Sequence, residues 1–126
     1  MIKMVATVWR KPGLSLEEFT ARWSGEHAML VRRHKAAMGF VRYVQSHFVE
    51  SPEIRAFTES RGWASPPDGI AELWWESLDT LQHAFSSPEA AAASAILAED
   101  EAVFVDTTRN AAFLSREFEV FNDIKK

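Results

Sequence analysis

Apolar and polar residues alternate from Ile2 to Arg10, in a stretch rich in β-formers that Lys11-Pro12-Gly13 interrupts; this predicts a first strand and a turn. Ser15 follows with Glu18 three residues on, the signature of a capping box, so a helix begins there. Its apolar stripe reads Phe19, Trp23, His27, Leu30, His34 and Met38, with spacings of three and four that keep one helix face toward a sheet. Ser24-Gly25 falls inside this helix and predicts a bend or break, and Gly39 supplies its C-terminal stop. A second strand is predicted over Phe40 to Val49 and a third over Ile70 to Trp75. The polar, proline-bearing stretch from Glu50 to Gly69 between them reads as the longest loop, carrying Phe57 and Trp63, and is expected to cap a pocket or a partner subunit. Leu78, Leu81, Ala84 and Phe85 recur at helical spacing behind a Ser77 cap, and Pro88 opens a further helical piece through the alanine-rich run. The last strand is predicted from Asn110 to Phe121.

The order β-α-β-β-α-β, with the second crossover in two helical pieces, is that of a ferredoxin-like split βαβ unit: an α+β fold with one antiparallel sheet. The predicted strands carry apolar residues on both faces: Phe40, Val44 and Phe48 opposite Val41, Tyr43 and Val49, then Phe113 and Phe121 opposite Leu114, Phe118 and Val120. Helices can cover only one face of such a sheet. The other is expected to pair with a second copy of the chain as a homodimer.

Composition narrows the function. A length of 126 residues fits one domain, 1–126, and 47% hydrophobic residues suffice for a core. The absence of cysteine excludes disulfides, thiolate nucleophiles and cysteine metal sites. A net charge of -4 argues against nucleic acid or an anionic membrane as partner, and no apolar run reaches spanning length, so a cytoplasmic location is expected. GxSxG, P-loop, GxGxxG and HExxH motifs are missing.

Histidines carry the remaining chemistry. His27 lies on the sheet-facing stripe, and a neutral imidazole there has the lone pair that a general base needs. His47 shares a strand face with Tyr43 and Gln45 at i, i+2 and i+4, a row suited to a pocket wall in which Tyr43 and Gln45 donate to a developing oxyanion. The site expected from these residues has His27, His47 and Tyr43 as catalytic groups, with Trp23, Gln45 and Trp75 contacting the substrate. Trp74 and Trp75 point to opposite sheet faces. His34 follows His27 by seven residues, about 10 Å along a helix, too far to share a metal ion. Neither His34 nor the exposed His83 is expected to take part.

Arg22-Trp23-Ser24-Gly25-Glu26-His27-Ala28-Met29-Leu30-Val31, together with Arg10 to Gly13, Tyr43 to His47 and Asp68 to Trp75, resembles the EthD family of the dimeric α/β-barrel superfamily. That superfamily includes polyketide cyclases and dehydratases, anthrone oxygenases, muconolactone isomerases, haem-degrading enzymes and proteins of no assigned activity. The resemblance implies a pocket between helices and sheet. It also implies a cofactor-free isomerase, dehydratase, cyclase or decarboxylase that moves protons on a small aromatic, polyketide-like or lactone substrate. A non-catalytic, stress-related binding barrel and a haem- or O2-using monooxygenase are the alternatives it leaves open.

Overall fold

The computed structural model describes residues 1–125. Four antiparallel strands, β1 (Ile2–Val8), β2 (Arg42–His47), β3 (Gly69–Trp75) and β4 (Ala111–Ser115), form one sheet in the order β2-β3-β1-β4. The helices are α1 (Leu16–Arg22), α2 (Ala28–Arg33), α3 (Lys35–Met38), α4 (Pro52–Ser60), α5 (Leu78–Phe85) and α6 (Pro88–Phe104). A π-helical turn, Trp23–His27, joins α1 to α2. The expected strands and crossover helices are present in order, with α4 added between β2 and β3, and the fold is α+β and ferredoxin-like.

Local chemistry explains the boundaries. Ser15 accepts from the Glu18 backbone at 3.0 Å while the Glu18 carboxylate accepts from the Ser15 backbone at 3.0 Å, the reciprocal pair of a capping box. Ser77 and Ser87 cap α5 and α6 by the one-way bond alone, their hydroxyls accepting from the Thr80 and Ala90 backbone N–H. Gly39 ends α3 at φ 81°, a left-handed geometry natural to glycine, and its N–H donates to Lys35 O.

Four sequence expectations change. The helix does not break at Ser24-Gly25 but widens, the Ala28 N–H reaching Trp23 O five residues back. Phe19, Trp23, His27 and Val31 are the buried row, four residues apart, with Leu30 only half-buried. In a pure α-helix three such steps would carry the row about 120° around the axis, and the wider turn takes part of that rotation back. Second, Glu50 to Gly69 is not all loop, because Ser51 caps α4 and Pro52 occupies its first turn. Third, β4 stops at Ser115 rather than Phe121. Ser115 pairs with Lys3, and β1 begins at Ile2, so no partner backbone remains; Phe118, Val120 and Phe121 lie exposed beyond the sheet. The second strand is likewise shorter than expected, since the Gly39 turn delays it to Arg42 and carries Phe40 into the core.

One sheet face packs on the helices through two apolar clusters. Ile2, Val31, Phe40, Trp75, Leu81 and Leu97 form the first, and Val8, Phe19, Trp23, Ala71, Phe104 and Val105 the second; Tyr43 and Leu73 touch both. The outer face is more mixed than the alternation implied. Val5, Val44 and Ile70 are half-buried and Phe113 is exposed, but Lys3 pairs with Glu72 at 2.7 Å. Trp74 lies between Lys3 and Arg42 at 5.3 and 4.3 Å. The tandem tryptophans thus face opposite sides, as expected. No helix is long and apolar enough to cross a membrane among the described residues.

Gly69 sets the approach of helix to sheet. A Cβ there would meet Trp23 at 2.4 Å and the Ser46 carbonyl at 2.6 Å, and the backbone atom cannot swing away. Gly69→Ala is expected to destabilise the fold by about 1–3 kcal/mol through overpacking, read as a fall in denaturation midpoint with unchanged slope.

Candidate functional site

A cavity of about 440 Å³ opens where the two apolar clusters meet, between the inner sheet face and the helices. Its wall is mostly apolar, with Met4, Ala6, Val8, Val31, Leu73, Leu97 and Phe104 among the lining residues, and the polar groups are few: His27, Tyr43, Ser94, Glu101 and Asn110. An apolar chamber with a small number of polar groups has the makeup of a small-molecule site.

His27 is brought there by the π-helical turn and lies 5% exposed. Its Nδ1 is 2.9 Å from Asp100 Oδ2. Asp100 sits on α6, whose buried row Ala90, Ala93, Leu97, Asp100 and Phe104 repeats every three or four residues toward the core. Burial alone would push the Asp100 carboxyl up, but hydrogen bonds from Arg22 and His27, with the Arg22 charge, outweigh it and hold the group below the usual aspartate range. It is therefore a carboxylate, and the His27 Nδ1–H donates to it. Arg22 completes the ion pair through Nη2 to Asp100 and meets Glu26 at 3.1 Å through Nη1. Phe104 covers the imidazole edge-on at 5.1 Å.

In the neutral tautomer with its proton on Nδ1, the lone pair is on Nε2, which stands 4.0 Å from Glu101 Oε2. Burial pushes the Glu101 carboxyl up, against the opposing influence of His27. Burial also raises the Tyr43 hydroxyl, which is thus kept protonated; it accepts from Gln45 Nε2 at 2.9 Å, leaving its own proton to donate. This arrangement places an imidazole, a carboxyl group and a hydroxyl on one wall of a largely apolar chamber.

Of the residues expected in the site, the structure brings Trp23, His27 and Tyr43 to the cavity and leaves three outside its wall. His47 stacks on Trp23 with ring centroids 4.6 Å apart and bonds Gln45 Oε1 at 2.8 Å. Gln45 spends its amide on Tyr43 and on the Trp23 carbonyl at 2.8 Å. The correction is that His47 and Gln45 lie on the expected face but behind the Trp23 indole, so His27 and His47 do not share a chamber. Trp75 is buried in the first cluster with its N–H on Met38 O at 2.9 Å and lines a separate apolar hollow of about 310 Å³. His34, His83 and the segment from 50 to 69 contribute nothing to the wall of the main cavity.

Asp100, Glu101 and Arg22 went unnoticed in the sequence because Glu99-Asp100-Glu101 looks like a solvated run. The signal was positional: Asp100 stands three residues after Leu97 and four before Phe104, on the row that α6 must bury.

The EthD domain model matches residues 11–108, which span α1 to α6 and include Arg22, His27 and Asp100. The chain belongs to the EthD family. Among solved structures, it is similar to an EthD family protein of Bacillus halodurans, with 19% identity over 94% of this chain and 99% of that one and a TM-score of 0.61. A dimeric ferredoxin-like protein of unknown function from Bacteroides fragilis matches at 10% identity over 92% and 95% of the chains with a TM-score of 0.57. The cofactor-independent oxygenase SnoaB of Streptomyces nogalater matches at 13% identity over 97% of both, with a TM-score of 0.50. No curated protein matches the sequence. At these identities the likeness fixes the fold of this EthD chain.

Replacing Asp100 in this EthD domain tests the ion-pair account. Asp100→Asn is expected to destabilise the protein by about 3 kcal/mol near neutral pH, since it leaves Arg22 short of its buried partner. Because the folded carboxyl titrates below its unfolded value, the contribution is complete above about pH 4 and is lost as pH falls through the folded value. The stability gap between wild type and variant, measured by urea unfolding, should therefore be constant above that point and close below it.

Proposed function

We propose that the chain is an enzyme that moves a proton on a small cyclic, aromatic or lactone-like substrate held in the main cavity. His27 Nε2 acts as the base, Asp100 holds the ring in the required tautomer, and the Tyr43 hydroxyl donates to oxygen as negative charge develops. The observation that carries this reading is the 2.9 Å bond between a buried carboxylate and the far nitrogen of a histidine that lines an apolar chamber. Such a pair fixes which nitrogen is basic. Trp23 forms an apolar wall, and Gln45 and His47 brace Trp23 and Tyr43 from behind.

Isomerisation, dehydration and cyclisation all draw on this step, with His27 and Tyr43 as the groups that move and receive charge. The fold shared with a cofactor-independent oxygenase favours a second outcome, in which the carbanion left by proton removal meets dioxygen. A homodimer belongs to the same reading: Val5, Val44, Ile70 and Phe113 are apolar positions on the outer face, set around the Lys3–Glu72 pair, where a second sheet would cover them, and the Bacteroides fragilis neighbour is itself dimeric. The chain has no cysteine requiring an oxidising compartment, which suits a cytoplasmic setting.

Exchange of the α-protons of 2-tetralone in deuterated buffer, followed by NMR with and without dioxygen, tests the central step. The protein should accelerate exchange over buffer, and His27→Ala should lower the rate by about 10²- to 10⁴-fold while remaining folded. A folded wild-type protein that accelerates exchange of neither this ketone nor a phenolic or lactone panel would leave a binding barrel as the better account.

A further inference from the structure

The charges around the cavity are lopsided. No lysine or arginine lines it among the described residues, and its one carboxylate is Glu101. Arg22 is the nearest guanidinium in the network, and it is already engaged by Asp100 and Glu26. An anionic ligand entering the chamber would meet Glu101 with Asp100 behind it, and no free cation to offset them. The remaining lining is apolar apart from His27, Tyr43, Ser94 and Asn110.

The polar end is shaped for a hydroxyl. His27 Nε2 and Glu101 Oε2 are 4.0 Å apart, so one ligand oxygen can lie within about 2.8 Å of both. A ligand O–H there donates to Nε2 while its lone pair accepts from the protonated Glu101 carboxyl, or it donates to Glu101 once that group is ionised. Burial among these apolar walls favours the protonated form of Glu101; the groups facing it are His27, Asp100 and Tyr43. A ligand carboxylate at the same point has no proton to give to Nε2, gives up its hydration to an apolar chamber lined by no cation, and is repelled once Glu101 is ionised.

We propose that the cavity selects uncharged ring compounds bearing a hydroxyl, phenols and enols, and rejects carboxylic acids, with Glu101 as the residue that makes the selection. This deepens the proton-transfer reading and rests on the same chamber. Its test is a binding measurement, so a failure of turnover does not decide it. Discrimination arises from a repulsive element built into the site rather than from a better fit.

Quenching of tryptophan fluorescence, with Trp23 in the wall, reports binding of 1-naphthol, 1-naphthoate and 1-naphthylmethylamine at about pH 7.5, where naphthoic acid is ionised and naphthol is neutral. Naphthol is expected to bind at least about tenfold more tightly than naphthoate. In Glu101→Gln, checked for native circular dichroism, naphthoate should gain about tenfold while naphthol changes less than about threefold. The proposal is overturned if naphthoate binds wild type as well as naphthol does, or if the gap survives the substitution. It is equally overturned if the amine binds most tightly, which would make this a cation site, or if naphthol does not bind at all.

Discussion

The carboxylate of Asp100 organises this structure. A buried anion is tolerated only where partners replace the water it has lost, and here Arg22 and His27 do so from the helical segment that crosses the sheet before α6. The bond therefore joins the two crossover segments of the fold, residues 78 positions apart at Arg22 and 73 at His27. Satisfying Asp100 fixes the rotation of the first helix, the tautomer of His27 and the distance between α6 and the π-helical turn. Packing and chemistry share that constraint, which is why a residue of the proposed site also holds the layers together.

Around this pair the apolar core is divided. Large aromatic side chains fill both ends, Trp75 and Phe40 in one cluster and Phe19, Trp23 and Phe104 in the other, while the middle is floored by small residues of the sheet, Ala6, Ala71 and Ala112. Small side chains opposite an amphipathic helix leave space, and that space is the cavity. Gly69 lets Trp23 lie close against the β3 end of the sheet, and His47 stacks on its face, so the wall of the chamber is a rigid indole braced by its neighbours.

Much of the architecture was legible in the sequence. Alternation located the first strand, serine caps marked the helices beginning at Leu16 and Leu78, and a first-turn proline marked the one beginning at Pro88. The Ser51-Pro52 start of α4 was equally legible in principle, but it was masked by the polar, proline-bearing stretch around it. The end of β4 was not legible, because it depends on where β1 runs out, a fact held in a different segment of chain. The same limit governs the site. Strand parity put Tyr43, Gln45 and His47 on the correct face, yet parity specifies a side and not what stands in front of it; Trp23, from the first helix, takes the place before His47. His27 was readable because its own helix carries its spacing, whereas Asp100 acquires meaning only when two helices meet.

The tautomer of His27 tests this account most directly. Nitrogen-15 NMR of selectively labelled histidine, in a pH range where the ring is neutral, distinguishes a protonated Nδ1 from a protonated Nε2. The account predicts that His27 carries its proton on Nδ1, with a downfield-shifted N–H signal that Asp100→Asn moves or removes, and that Nε2 has the chemical shift of a bare acceptor nitrogen. A His27 ring protonated on Nε2, or an Nδ1–H signal indifferent to Asp100, would contradict it.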